Sequence, residues 1–377
     1  MRQPVLPRRW RAVAAFAVAS MLSACATTGT DGAPRTGYFY VGGHYVDTRA
    51  GPIMERQMYV EYRRPERVTK PYPIVMIHGA AQTGTNFTGT PDGRKGWADY
   101  FVEQGYAIYV VDQPARGRSA YYEPLAPVVR FPANQLEQRF TATAKFNLWP
   151  QAKLHTQFPG DGPNKGQRGD PVFDQFYASQ VQYIGNNVVG EKLLRDAGAA
   201  LLDRIGPAIV FTHSQSGPFG WVIADERPKL VKGIVAAEPG GPPLRNAVLG
   251  TTPARPWGIT ETPLAYDPPV KDATELKVVE QTAPDGPNLV ACMQQAEPAR
   301  KLANLRGIPV MVFVAEASYH ASYDHCTAKW LNQAGVKTDF VRLEEAGIRG
   351  NGHMSMIEKN NLEIAALIQR WLDANVR

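Results

Sequence analysis

Pro207-Ala-Ile-Val-Phe-Thr-His-Ser214-Gln-Ser-Gly217 is the segment whose reading decides the architecture. Ala208–Thr212 is an apolar run without polar alternation, the pattern of a strand buried on both faces of a sheet. It passes directly into Ser214, which has small residues around it, and then into the helix-compatible stretch Phe219–Glu226. A buried strand therefore turns into a helix through a serine.

Further out, the same rhythm repeats. Tyr72–Ile77 stops at His78-Gly79, and Tyr106–Val111 stops at Asp112-Gln113-Pro114. Val231–Ala237 meets Glu238, Ile308–Val314 meets Ala315-Glu316, and Thr338–Leu343 meets Glu344. Gly96–Gln104 and Ser355–Asn375 are helical in pattern; in the second, Ile357, Ile364, Ile368 and Trp371 fall on one stripe. Two strand-like pieces, Tyr38–Val46 and Gln57–Tyr62, precede them. Strands alternating with helices predict an α/β domain over residues 38–377, with a doubly wound, mostly parallel sheet. Two stretches break the rhythm, at about 121–187 and 239–298; both are rich in Pro and Gly and follow a strand's carboxyl end. Structureless loops of that length are uncommon in compact domains, so both are expected to form a cap over the site, with mere decoration of the fold as the alternative.

A serine hydroxyl is a weak nucleophile and needs a base within hydrogen-bond reach, oriented by a carboxylate. Seven histidines are available. His44 precedes the sheet, His155 falls in the first insertion, and His320 and His325 flank Asp324 without the further spaced ligands a metal site would need. His213 is expected to point away from the turn. Among the carboxylates, Glu238 ends a purely apolar run and is followed by Pro and two Gly, which suits a group facing the sheet's carboxyl edge. Glu316 is its rival, and Ser216 is the rival nucleophile.

The segment around Ser214 resembles the G-x-S-x-G nucleophile elbow of α/β-hydrolases, with Thr212 and Ser216 standing where that family has Gly. His78-Gly79-Ala80-Ala81 resembles the family's oxyanion loop, and Asp112-Gln-Pro-Ala-Arg-Gly-Arg-Ser119 its loop after strand four. The resemblance implies a late catalytic histidine, which Gly350-Asn-Gly-His353 supplies before the final helix. It mostly places the acid after strand seven, where this chain has Ala315-Glu316-Ala317-Ser318. A bacterial esterase subgroup with a T-H-S-Q-S-G elbow and a Glu after strand six is the better likeness, and it points to Glu238. The implied function is carboxylic-ester hydrolysis through Ser214, His353 and Glu238, with the N–H groups of Ala80 and Gln215 as oxyanion donors and no metal or organic cofactor. An amidase or lactonase using the same triad, or a non-catalytic binding lipoprotein on the same fold, are the other readings.

At the N-terminus, Arg2, Arg8, Arg9 and Arg11 precede an apolar run from Ala12 to Leu22. That run is an export signal in form, since a spanning helix needs roughly 20 apolar residues. Its end, Leu22-Ser23-Ala24-Cys25, resembles the lipobox of bacterial lipoproteins, which implies cleavage after residue 24, a lipid on Cys25 and attachment to the cell envelope. Residues 25–37 then read as a flexible tether. The four arginines leave with the signal, so the formal charge of +6 falls to about +2 and a nucleic-acid partner loses its support. Cys292 and Cys326 remain as an even pair, expected to form a disulfide in an oxidising compartment.

Overall fold

The computed structural model describes Met1, residues 35–122 and residues 125–377. Cys25, the signal and most of the tether lie outside the described residues. Residues 35–377 pack as one unit around an eight-stranded sheet. Its strands are β1 (Thr36–Thr48), β2 (Gly51–Arg63), β3 (Ile74–Ile77), β4 (Ile108–Asp112), β5 (Ala208–His213), β6 (Val231–Ala237), β7 (Val310–Val314) and β8 (Thr338–Arg342). They lie in the order β1-β2-β4-β3-β5-β6-β7-β8. β1 and β2 form an antiparallel hairpin on one edge, β2 pairs antiparallel with β4, and every pairing from β4 to β8 is parallel. β1 begins at Thr36, two residues inside the segment read as tether.

The parallel strands are short and β3, β4, β5 and β7 are buried along their whole length, because helices cover both faces. One face carries Val75, Ile77, Val210, Ile234 and Val312 against helices Asn187–Ile205 (α2) and Gly217–Glu226 (α3). The other carries Ile74, Met76, Phe211, Val235 and Phe313 against Trp97–Glu103 (α1) and Asn361–Asn375 (α5). Alternate residues of one strand thus feed two cores, as a pleat requires.

The last helix starts later than its periodicity suggests. Ser355–Ile357 is a separate 3₁₀ turn, and α5 begins at Asn361. The guanidinium of Arg94 takes the carbonyls of Ile357, Glu358 and Lys359, which interrupts the helical ladder there. Ile357 therefore leaves the stripe, and Ile364, Ile368 and Leu372 bury it instead. The two insertions also hold structure of their own, including a helix at Pro171–Ala178 and short antiparallel pairs. No helix among the described residues is long and apolar enough to cross a membrane.

Candidate active site

The carboxyl ends of β5, β6 and β8 bring three distant side chains together. Ser214 follows β5 with φ +57° and Glu238 follows β6 with φ +46°, both in the left-handed region. Non-glycine residues held there cost of order 1–3 kcal/mol each and persist only where the surroundings enforce them. At the first turn, Gly217 lets the chain pass: a Cβ there would lie 2.3 Å from the Cβ of Pro239. Gly79 is needed for the same reason, because its Cβ would stand 3.0 Å from that of Ser214.

His353 joins the two strand ends. Its Nε2 lies 2.9 Å from Ser214 Oγ, and its Nδ1 lies 2.5 Å from Glu238 Oε2. With Nδ1–H donating to the carboxylate, Nε2 is free to accept the serine proton. Both His353 and Glu238 are 1% exposed. Burial and the nearby His320 hold the His353 imidazole well below its usual range, so it rests neutral. Burial pushes Glu238 up to about 7, while His320, the Ser318 hydroxyl and the Ala315 amide oppose that rise. A hydroxyl, imidazole and carboxylate chained this way can remove the hydroxyl proton as the oxygen attacks a carbonyl.

The loop after β7 contributes donors in place of an acid. The Ala315 N–H donates to Glu238 Oε1 at 2.8 Å, and the Ser318 hydroxyl donates to Oε2 at 2.6 Å. Glu316 faces elsewhere, paired with Arg349 at 2.7 Å and accepting the Gly350 N–H at 2.8 Å. Ser216 is likewise occupied: its hydroxyl donates to Ile77 O at 2.7 Å and accepts the His213 N–H at 2.8 Å. It is fully buried and pins the elbow to β3.

His213, expected to point away from the turn, has no side-chain hydrogen bond to Ser214 among the described residues but lies against His353. Its ring lies 4.6 Å from the His353 ring, and its Nε2–H donates to the His353 carbonyl at 2.9 Å. The residue precedes Ser214 on a strand, so its side chain takes the opposite face and meets the His353 loop there. His320 was undervalued in the sequence. Its ring stacks on His353 at 4.8 Å and 11°, and its Nδ1 lies 2.9 Å from Asp324 Oδ1. Burial holds His320 at about 4 and pushes Asp324 well up. Phe140, 5.0 Å from His353, closes another side of the ring. The only local sign of this packing was the His-x-x-x-Asp spacing.

His155 helps to hold the His353 loop. It contacts Glu358 Oε1 at 2.6 Å, and Glu358 also accepts from the Gly352 N–H and Asn351 Nδ2. On the opposite side of Ser214, the Gly79 carbonyl accepts from Arg116 Nη1 at 2.7 Å and from His78 Nδ1 at 2.9 Å. Arg116 Nη2 donates to the Gln215 side chain at 3.1 Å. Ala80, Ser214 and Gln215 line one cleft of about 590 Å³ together with residues from both insertions.

Away from the cleft, Cys292 and Cys326 are joined in a disulfide that ties the second insertion to helix Asp324–Gln333 (α4).

Comparison with known proteins accords with this architecture. Residues 74–367 match the model of the alpha/beta hydrolase family. A fungal protein named "Probable secreted lipase phiG" is 49% identical over 342 residues, covering 90% of each chain. The solved structure of a novel bacterial esterase is 25% identical with a TM-score of 0.61, covering 91% of this chain and 96% of its own. The chain belongs to the alpha/beta hydrolase family.

Proposed function

We propose that this protein hydrolyses carboxylic esters by way of an acyl-enzyme, with Ser214 as nucleophile, His353 as general base and acid, and Glu238 as the orienting carboxylate. The observation that carries this reading is the continuous hydrogen-bonded chain from Ser214 Oγ through His353 to Glu238, built on a strained serine at a strand end. Ser214 attacks the carbonyl carbon as His353 Nε2 takes its proton. His353 then returns that proton to the departing alkoxide, and water repeats the sequence on the acyl-serine. Glu238 keeps Nδ1 protonated and steadies the imidazolium that forms.

The Gln215 and Ala80 N–H groups are the oxyanion donors in this reading. The Gly79 carbonyl belongs to the same peptide as the Ala80 N–H, and its two buried donors polarise that peptide and hold it in place. Residues 121–187 and 239–298 act as a cap, supported by their presence together in the cleft wall. The names of the relatives, a lipase and an esterase, support ester substrates over amides or lactones. We further read the chain as exported and held to the cell envelope through lipid on Cys25. Export accords with the relative named as secreted.

The test is a chain-length series of nitrophenyl esters run beside a serine-reactive phosphonate. Ester turnover with phosphonate labelling of Ser214 is the expected result. Failure of both refutes the reading.

A further inference from the structure

We propose that the substrate is an ester carrying an anionic group, a carboxylate or a phosphate, which Arg139 and Arg255 bind in the cleft above Ser214; this rests on the ester-hydrolase reading.

Two guanidinium groups share the cleft with Ser214, one from each insertion, and none of its lining residues among those described is Asp or Glu. Arg255 is 6% exposed. Its Nε donates to the Pro242 carbonyl at 2.8 Å, and its Nη2 donates to Asn246 Oδ1 at 3.1 Å and to the Arg245 carbonyl. These acceptors are all neutral. Among the described residues no carboxylate stands within ion-pair distance of it. Buried charges in proteins are ordinarily paired, so a buried guanidinium held only by neutral oxygens is one counter-charge short. Burial lowers its pKa, with only the more distant Glu261, Tyr323 and Glu191 opposing, yet an arginine keeps its proton throughout the physiological range. Its backbone is held at φ +49°, a strained setting that fixes where the side chain begins.

Arg139 is half-buried in the lining of the same cleft, within a π-turn at Glu137–Thr141. Turns of that kind recur at functional sites. Arg168 pairs with Glu137 in the same turn, whereas Arg139 has no ion pair or hydrogen bond among the described residues. The next residue, Phe140, stacks on His353, so the chain carries Arg139 to within one residue of the reacting groups. Its charge reaches both Tyr183 and Tyr319, two other lining residues. A planar guanidinium matches carboxylate and phosphate oxygens two at a time, which makes an anion the ligand this wall recognises best.

The experiment compares three nitrophenyl esters on the full chain: the hemiglutarate, its methyl-capped neutral twin, and a phosphonobutyrate. The expected kcat/KM favours at least one charged ester over the neutral twin by about tenfold or more at low salt, and the preference shrinks as salt rises. Which charged ester leads identifies the anion. Arg139→Gln and Arg255→Gln should each reduce the charged-to-neutral ratio by about tenfold. If Arg255→Gln fails to fold, Arg139→Gln alone decides. A wild-type ratio at or below one, or a ratio that survives Arg139→Gln, overturns the proposal. If no ester is cleaved, the hydrolase reading falls separately. Calorimetry then decides the anion site: glutarate or phosphate binding that weakens in Arg139→Gln upholds it, and no binding overturns it.

Discussion

Ser214 and Ser216 sit two residues apart, yet their surroundings differ entirely: one hydroxyl faces His353 across the cleft edge, the other is spent inside the elbow. Ser214→Ala is therefore expected to lower ester turnover by about 10⁶-fold and to abolish phosphonate labelling. Ser216→Ala should keep a measurable fraction of both while losing roughly 1–3 kcal/mol of stability from an unsatisfied buried partner. Labelling that survives in Ser214→Ala reverses the assignment. The same contrast holds for the acids. Glu238→Gln should reduce kcat by ~10⁴-fold, whereas Glu316→Gln, which loosens only Arg349 and Gly350, should cost far less. Stability moves the other way with pH. Glu238 is raised from 4.5 to about 7 in the fold, so the native state holds its proton more tightly than the unfolded chain does. Its contribution is full below pH 4.5 and is lost as pH rises through about 7, a change on the order of 3 kcal/mol. Glu238→Gln lacks that loss. Its denaturation midpoint relative to the parent should therefore rise between pH 5 and pH 8, and a flat difference refutes the buried-carboxylate account. Ser214 and Glu238 stood out in the sequence because each follows a strand with an abrupt change from apolar to polar, whereas His353 was singled out by the family resemblance, in the loop before the final helix. The roles of Ser318, His320 and His213 were not legible, since nothing local distinguishes a residue that packs on a histidine from one that does not.

Strands read more surely than helix starts. The apolar runs marked β5 and β6 to within a residue, because burial on both faces leaves no polar position to blur the signal. The start of α5 was hidden, because it depends on Arg94 reaching across from a distant turn to take three carbonyls. The insertions carried no period at all. They hold to the sheet through apolar side chains such as Leu136, Phe158, Phe173 and Ile259 in its two cores, through long-range contacts such as the Trp149 indole N–H donating to the Ala317 carbonyl at 3.0 Å, and through the disulfide. Cys292 and Cys326 are separated by 34 positions and both are fully buried. In the chain-entropy model a loop of that size stabilises by roughly 3–4 kcal/mol. Replacing both cysteines with Ala should lower the denaturation midpoint accordingly. Two free thiols titrated in exported, non-reduced protein would remove the basis for this expectation.

Across the whole chain, the described unit from residue 35 to 377 contains the sheet, both insertions and the candidate site, while the segment proposed to carry the export and lipid signals lies before it. If Cys25 carries lipid, the wild type should partition into detergent, and Cys25→Ser should be retained as precursor or released in soluble form. Wild type in the aqueous phase with an unmodified mature N-terminus refutes the anchor. The positions of the parallel strands along the chain and the serine elbow follow from short stretches of residues, because backbone conformation and two-sided burial depend on near neighbours; the late histidine was implied by the family resemblance. The meeting of Glu238 with donors from the β7 loop, the His155–Glu358 brace, and the two arginines that line the cleft with Ser214 and have no carboxylate partner among the described residues join positions far apart in the chain. Such meetings depend on which strands pair in the sheet and on how the insertions fold back over it, and long-range packing of that kind leaves no period or motif in the sequence.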